Sequence, residues 1–219
     1  PEHIFATYRD PAKSQELFKL EEQNSNLHTF QFDVLNFNSH QELVEKVGRI
    51  LNGKGLTVLY NNAGILVREN DLNQTNAKVL SDTFNTNVTA PVLLTKAFYS
   101  LLKQSASENS ASQGIHRAAV INVSSLLGSM TENSLGGYYS YRCSKAALNA
   151  ATKSMSADFR SDNIIAVAVH PGWVKTDMGG QNAALEVDTS VSNILQTILT
   201  FTNKHNGKFI QYDGKEIPW

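Results

Sequence analysis

The chain has 219 residues, 41% of them hydrophobic, with a formal net charge of −1 at pH 7. That is enough apolar material for one compact core, and with no basic surplus to neutralise a phosphate backbone the balance argues against nucleic-acid binding. No apolar run approaches the roughly 20 residues that span a bilayer, no signal peptide is visible, and the single cysteine, Cys143, cannot close an internal disulfide; the expected setting is therefore cytoplasmic and reducing.

Ile4–Tyr8 is a short β-prone run and is expected as a buried strand. Asp10-Pro11 opens a helix with Leu17, Phe18 and Leu20 as its apolar side. Leu27–Phe32 alternates and predicts a second strand. Ser39 is the expected N-cap of a helix through Leu51, with Leu43, Val44, Val47, Ile50 and Leu51 at helical spacing. Leu56–Tyr60 predicts a third strand, closed by Asn61-Asn62-Ala63-Gly64. A long helix is expected over about Leu80–Leu102, then a Ser/Asn-rich surface loop from Lys103 to Gln113. Ala118–Val123 is apolar throughout, as in a strand covered on both faces. A helix carrying Tyr141 runs to about Phe159, followed by a strand at Ile164–Val169, a helix at Thr189–Phe201 and a short strand at Lys208–Gln211. No internal repeat or linker divides the chain, so residues 1–219 are expected to form one domain.

Strands alternating with helices imply right-handed βαβ units and a doubly wound parallel α/β sheet. Such sheets bind ligands at the carboxyl ends of their strands. The polar clusters Asn61-Asn62-Ala63-Gly64, Ser124-Ser125 and His170-Pro171-Gly172 fall at those ends. Tyr141 and Lys145, four apart on a helix, share one face. An ammonium beside a phenol lowers the phenol's pKa and makes it a usable proton donor and acceptor. Such a pair alone also occurs on ordinary solvated helix faces. The histidines do not cluster with cysteines or carboxylates at metal spacing, so no metal site is inferred.

Asp33, Asn61-Asn62-Ala63-Gly64, Asn87 in Phe84-Asn85-Thr86-Asn87-Val88, Ser125 after Asn122-Val123-Ser124, Tyr141 with Lys145, and Pro171-Gly172-Trp173-Val174-Lys175-Thr176 occur in an order that resembles the short-chain dehydrogenase/reductase family. Gly136–Arg142 and Gly207–Trp219 are similar to its sniffer and C-factor-like carbonyl reductase branch. The resemblance implies a Rossmann-like sheet. The family opens with a strand and a glycine-rich turn that holds a pyrophosphate; Ile4–Tyr8 resembles its second strand. A segment of roughly 30 residues is therefore expected to be lacking here, judged from βαβ unit size. Its strand would separate Ile4–Tyr8 from Leu56–Tyr60.

By this resemblance the chain is an NADP-dependent reductase of a small carbonyl substrate. Tyr141 would protonate the carbonyl oxygen, Lys145 would lower its pKa and hydrogen-bond the nicotinamide ribose, and Ser125 would polarise the carbonyl, with Ser124 as its rival. Asn87 would anchor a water linking Lys145 to solvent, with Asn85 the weaker candidate. Arg9, following a strand with no acid beside it, suits a 2′-phosphate and so NADP over NAD. Asp33 and Val34 would meet the adenine. Asn62, Ala63 and Gly64 would let the backbone approach the cofactor. Pro171, Gly172, Val174 and Thr176 would cup the carboxamide. Lys175–Glu186 has the composition of a movable lid. Trp173, Met178, Leu127 and Met130 line a substrate pocket or belong to the core, and His170 is read as structural. A homodimer through the two long helices is expected. The alternative is a non-catalytic NADP-binding regulator of the same fold.

Overall fold

The computed structural model describes Pro1–Trp219. Strands β1 (Ile4–Tyr8), β2 (Leu27–Gln31), β3 (Val58–Asn61), β4 (Ala119–Val123), β5 (Ile165–His170) and β6 (Phe209–Gln211) alternate with helices. These are α1 (Gln15–Gln23), α2 (His40–Leu51), α3 (Ala77–Phe84), α4 (Ala90–Glu108), α5 (Tyr139–Asp158) and α6 (Val187–Leu199). All ladders are parallel, in the orders β1-β2 and β3-β4-β5-β6. As expected, β1 and β3 are not paired with each other.

The central strands are buried on both faces, which is why they read as continuous apolar runs. Along β4, Val120 packs with Leu43, Phe98, Leu102 and Met155 from α2, α4 and α5. Its neighbours Ala119 and Ile121 face the other layer, with Ile194 and Ile198 of α6. This alternation is the period-two geometry of a strand carrying helices on both sides.

Several boundaries differ from expectation. Ser39 stands at the N-cap position of α2, as expected, but does not cap it with its side chain: it closes a 3-10 turn at Phe37–Ser39, and its hydroxyl donates backward to the Asn36 carbonyl at 2.8 Å. The first turn after Asp10 is likewise 3-10, and α1 begins only at Gln15, with Leu20 exposed on it. The long helix extends through Glu108, absorbing half of the expected Lys103–Gln113 loop. It also contains a π-turn at Asn85–Thr89. The cause is in the sequence: Pro91 lacks the N–H that the Asn87 carbonyl would receive in a regular α-helix. The turn widens instead, and the Ala90 N–H donates to the Asn85 carbonyl.

Candidate active site

The site is built where β3, β4 and β5 end. After β4, Ser124 N–H donates to the Val169 carbonyl at 2.8 Å, and the chain turns into a 3-10 segment at Leu126–Gly128. Ser125 caps that segment, its hydroxyl accepting from Leu127 N–H at 3.2 Å. The segment lies tight on α5: a Cβ at Gly128 would come within 2.8 Å of Lys145 Cβ. This close packing, open only to glycine, brings Ser125 against the face of α5 that carries Tyr141 and Lys145. The two serines divide their work. Ser124 Oγ is buried and donates to Asn149 Oδ1 at 2.6 Å, a bond within the core. Ser125 instead faces the Tyr141 phenol and eases its ionisation.

Tyr141 is 7% exposed and Lys145 3% exposed. Burial pushes the phenol's pKa up, opposed by its contact with the Ser125 hydroxyl. Burial also brings the Lys145 ammonium down to about 8. Both groups lose water in the same pocket, and desolvation disfavours the charged form of each. A phenol held neutral is a proton donor at physiological pH, the state that an acid needs before its proton is called for. Lys145 Nζ lies 5.7 Å from the Tyr141 ring centroid and donates to the Val123 carbonyl at 2.8 Å.

Asn87 is fully buried, and its carboxamide is spent on the fold. Its Oδ1 accepts from Ile65 N–H at 2.8 Å, while its Nδ2 donates to the Ile65 carbonyl at 2.9 Å and to Ser144 Oγ at 3.0 Å. It thus fastens the loop after β3 to α5. Asn85 is exposed and makes no such link. Asn62 and Ala63 are exposed beyond β3, while a Cβ on Gly64 would press to 3.3 Å from Asn87 Oδ1 and 3.5 Å from Lys145 Nζ. The exposed backbone at Asn62 and Ala63, with Lys145 directly behind Gly64, fits the close approach of a polar cofactor.

At the ends of β1 and β2, Arg9 and Asp33 line one cavity of about 380 Å³ together with Gln31 and Lys46. Asp33 Oδ1 accepts from Leu35 N–H at 2.9 Å, so one carboxylate oxygen holds the turn, and Val34 packs half-buried against the core. Past β5, Pro171 and Gly172 lead into a loop closed by a Val174–Leu185 bridge and by Trp173 Nε1 donating to the Gly179 carbonyl at 2.9 Å. Thr176 Oγ1 accepts from Gly179 N–H at 3.1 Å. Arg68 reaches across to the Met178 carbonyl at 3.3 Å. Trp173, Met178 and Met130 are exposed and Leu127 is half-buried, so none of them is core. His170 is buried, and burial pulls its pKa to about 4, leaving the ring neutral.

Sequence reasoning missed one residue. Glu69 is 1% exposed, and its carboxylate accepts from both the N–H and the hydroxyl of Ser140, next to Tyr141. Nothing in the local sequence around Glu69 signals a contact 71 positions away.

The short chain dehydrogenase family model matches residues 2–186. The chain is 40% identical over 162 residues to the C-signal protein of Myxococcus xanthus, covering 74% of this chain and 92% of that protein. Among solved structures, the carbonyl reductase Sniffer of D. melanogaster superimposes with a TM-score of 0.98 at 44% identity, covering 100% of this chain and 89% of that one. The NADPH-bound carbonyl reductase from chicken fatty liver gives a TM-score of 0.94 at 40% identity, covering 100% and 88%. Matched by the family model over most of its length, this chain belongs to the short-chain dehydrogenase family of oxidoreductases.

Proposed function

We propose that the protein is an NADPH-dependent carbonyl reductase acting on a small aldehyde or ketone. The observation that carries this reading is the tight packing of the Ser125-capped segment Leu126–Gly128 on the face of α5 that bears the buried Tyr141 and Lys145. NADPH, when bound, supplies a hydride to the carbonyl carbon. Negative charge then builds on the carbonyl oxygen, and preorganised donors stabilise it. Tyr141 gives that oxygen its proton, and Ser125 holds it by a second hydrogen bond. Lys145 carries positive charge behind the phenol and hydrogen-bonds the cofactor ribose. It also receives a proton from solvent through a water held at Asn87, whose main chain is shaped for this by the π-turn.

Arg9 would hold the 2′-phosphate, and Asp33 and Val34 the adenine. The backbone of Asn62, Ala63 and Gly64 would contact the cofactor, and Pro171, Gly172, Val174 and Thr176 would hold the carboxamide. The NADPH in the chicken fatty-liver structure supports this choice of cofactor. Exposed Trp173, Met178 and Met130 give the substrate an apolar wall. The domain works as one unit over residues 1–219, in the cytoplasm and as a homodimer. The two long helices, α4 and α5, provide the surface for that contact.

The test is NADPH oxidation with a panel of quinones, diketones and aldehydes, repeated on Tyr141→Phe. Turnover that falls by about 10²–10⁴-fold in the variant, with NADPH affinity retained, supports the reading. NADPH binding without turnover on any carbonyl overturns it in favour of a cofactor-binding regulator.

A further inference from the structure

Helix α5 starts badly. Its N-cap position is Tyr138, a non-glycine residue at φ 50°, ψ 41° that makes no side-chain cap. Gly136 and Gly137 before it also have positive φ, 65° and 66°. For glycine that conformation is free, but for Tyr138 it is unfavourable, and the first turn leaves N–H groups without intrahelical partners. Tyr141 sits in that first turn. Something outside α5 must therefore hold it.

Glu69, in the loop after β3, is placed to do so. Its main-chain carbonyl accepts from Tyr138 N–H at 2.6 Å. Its carboxylate accepts from Ser140 N–H at 2.9 Å and from the Ser140 hydroxyl. A Cβ on Gly137 would stand only 3.3 Å from the Glu69 carbonyl and 3.1 Å from that of Asn70, so the two segments are in contact along their backbones. A carboxylate at a helix N-terminus meets both the free N–H groups and the positive end of the helix dipole. Glu69 is the only buried acid in the molecule, the Thr75 hydroxyl is its other polar neighbour, and no cation pairs with it. Burying it so is unfavourable unless the position matters. Desolvation acts to raise its pKa, but the two Ser140 bonds and the Thr75 hydroxyl together outweigh it and leave the group ionised.

We infer that Glu69 is a positioning residue for carbonyl reduction: it supplies from a distant loop the N-terminal cap that α5 lacks, and so fixes the Tyr141 phenol against Ser125. This rests on the reductase reading. Its carbonyl and carboxylate bonds both fall on the first residues of α5, next to Tyr141.

The experiment measures kcat, KM and NADPH affinity for wild type, Glu69→Ala, Glu69→Gln and Ser140→Ala in the full chain with a carbonyl that wild type reduces. A misplaced reacting group costs roughly ten- to a hundredfold in rate. The expected result is a kcat loss of that size in Glu69→Ala and a smaller one in Ser140→Ala. NADPH affinity stays unchanged in both, and Glu69→Gln, which keeps an acceptor of the same shape, retains most of kcat. In a Tyr141→Phe background Glu69→Ala has no further effect on the residual rate, since Glu69 acts through the phenol. A merely structural Glu69 gives folded variants of lower Tm with unchanged kcat, and that result overturns the inference. Loss of NADPH affinity in step with kcat also overturns it. Should Glu69→Ala fail to fold, Ser140→Ala decides alone, and an unchanged kcat there counts against the inference. No wild-type turnover at all would instead sink the reductase reading, so the two failures are distinguishable.

Discussion

Lys145 makes a quantitative test of how dry the site is. Burial holds its pKa at about 8 against 10.5 for a free lysine. At about 1.4 kcal/mol per unit, carrying the ammonium at neutral pH costs the fold about 3 kcal/mol. Because the folded pKa is the lower one, the unfolded chain binds more protons between the two values. Stability therefore rises as pH climbs from 8 towards 10.5. Lys145→Met removes this titration and keeps the length of the side chain. Relative to the variant, wild type should gain about 2 kcal/mol of unfolding free energy between about pH 7.5 and about pH 9.5. Urea unfolding followed by far-UV circular dichroism at the two pH values measures the difference, in which other titrations largely cancel. A difference that does not change with pH would show that Lys145 is hydrated and would refute the reasoning.

The division between the two serines predicts opposite phenotypes. Ser124→Ala loses the buried bond to Asn149 and should cost about 1–3 kcal/mol in denaturant unfolding with kcat nearly intact. Ser125→Ala should leave stability nearly unchanged and lower kcat by about a hundredfold, as removal of one oxyanion donor does elsewhere. Arg9→Asp should raise the Kd for NADPH by roughly tenfold or more while sparing NADH, measured by fluorescence titration with each cofactor; equal loss for both would remove Arg9 from the 2′-phosphate site. Asn122→Leu breaks the buried chain in which Asn61 Nδ2 donates to Asn122 Oδ1 at 2.8 Å and Asn122 Nδ2 to Thr152 Oγ1 at 2.9 Å. It should lower the unfolding free energy by about 2–4 kcal/mol, and an unchanged Tm would mean that the network contributes nothing net.

Strands β4 and β5 were legible because burial on both faces leaves nearly continuous apolar runs, whereas β1, expected as buried, is partly exposed. The Tyr141–Lys145 pairing was legible from helix spacing, and Ser125 from its place after β4. What escaped depended on contacts between distant segments. Ser39 looks like a cap, but its hydroxyl is claimed by Asn36 three residues back. The π-turn could have been read from Pro91 standing four residues after Asn87. The sign of the Tyr141 shift could not, because it depends on how much water the folded pocket excludes. Glu69 was invisible for the same reason: a surface-type residue becomes buried only through a partner far along the chain.

The central claim is that Tyr141 and Ser125 grip a carbonyl oxygen while hydride arrives at its carbon. Reduction with NADPH carrying deuterium at the transferable C4 position, followed by mass spectrometry of the alcohol, tests it most directly. The account predicts one deuterium on the carbinol carbon and product formation that Tyr141→Phe nearly abolishes. Alcohol without deuterium, or labelled alcohol formed as fast by Tyr141→Phe as by wild type, would contradict it.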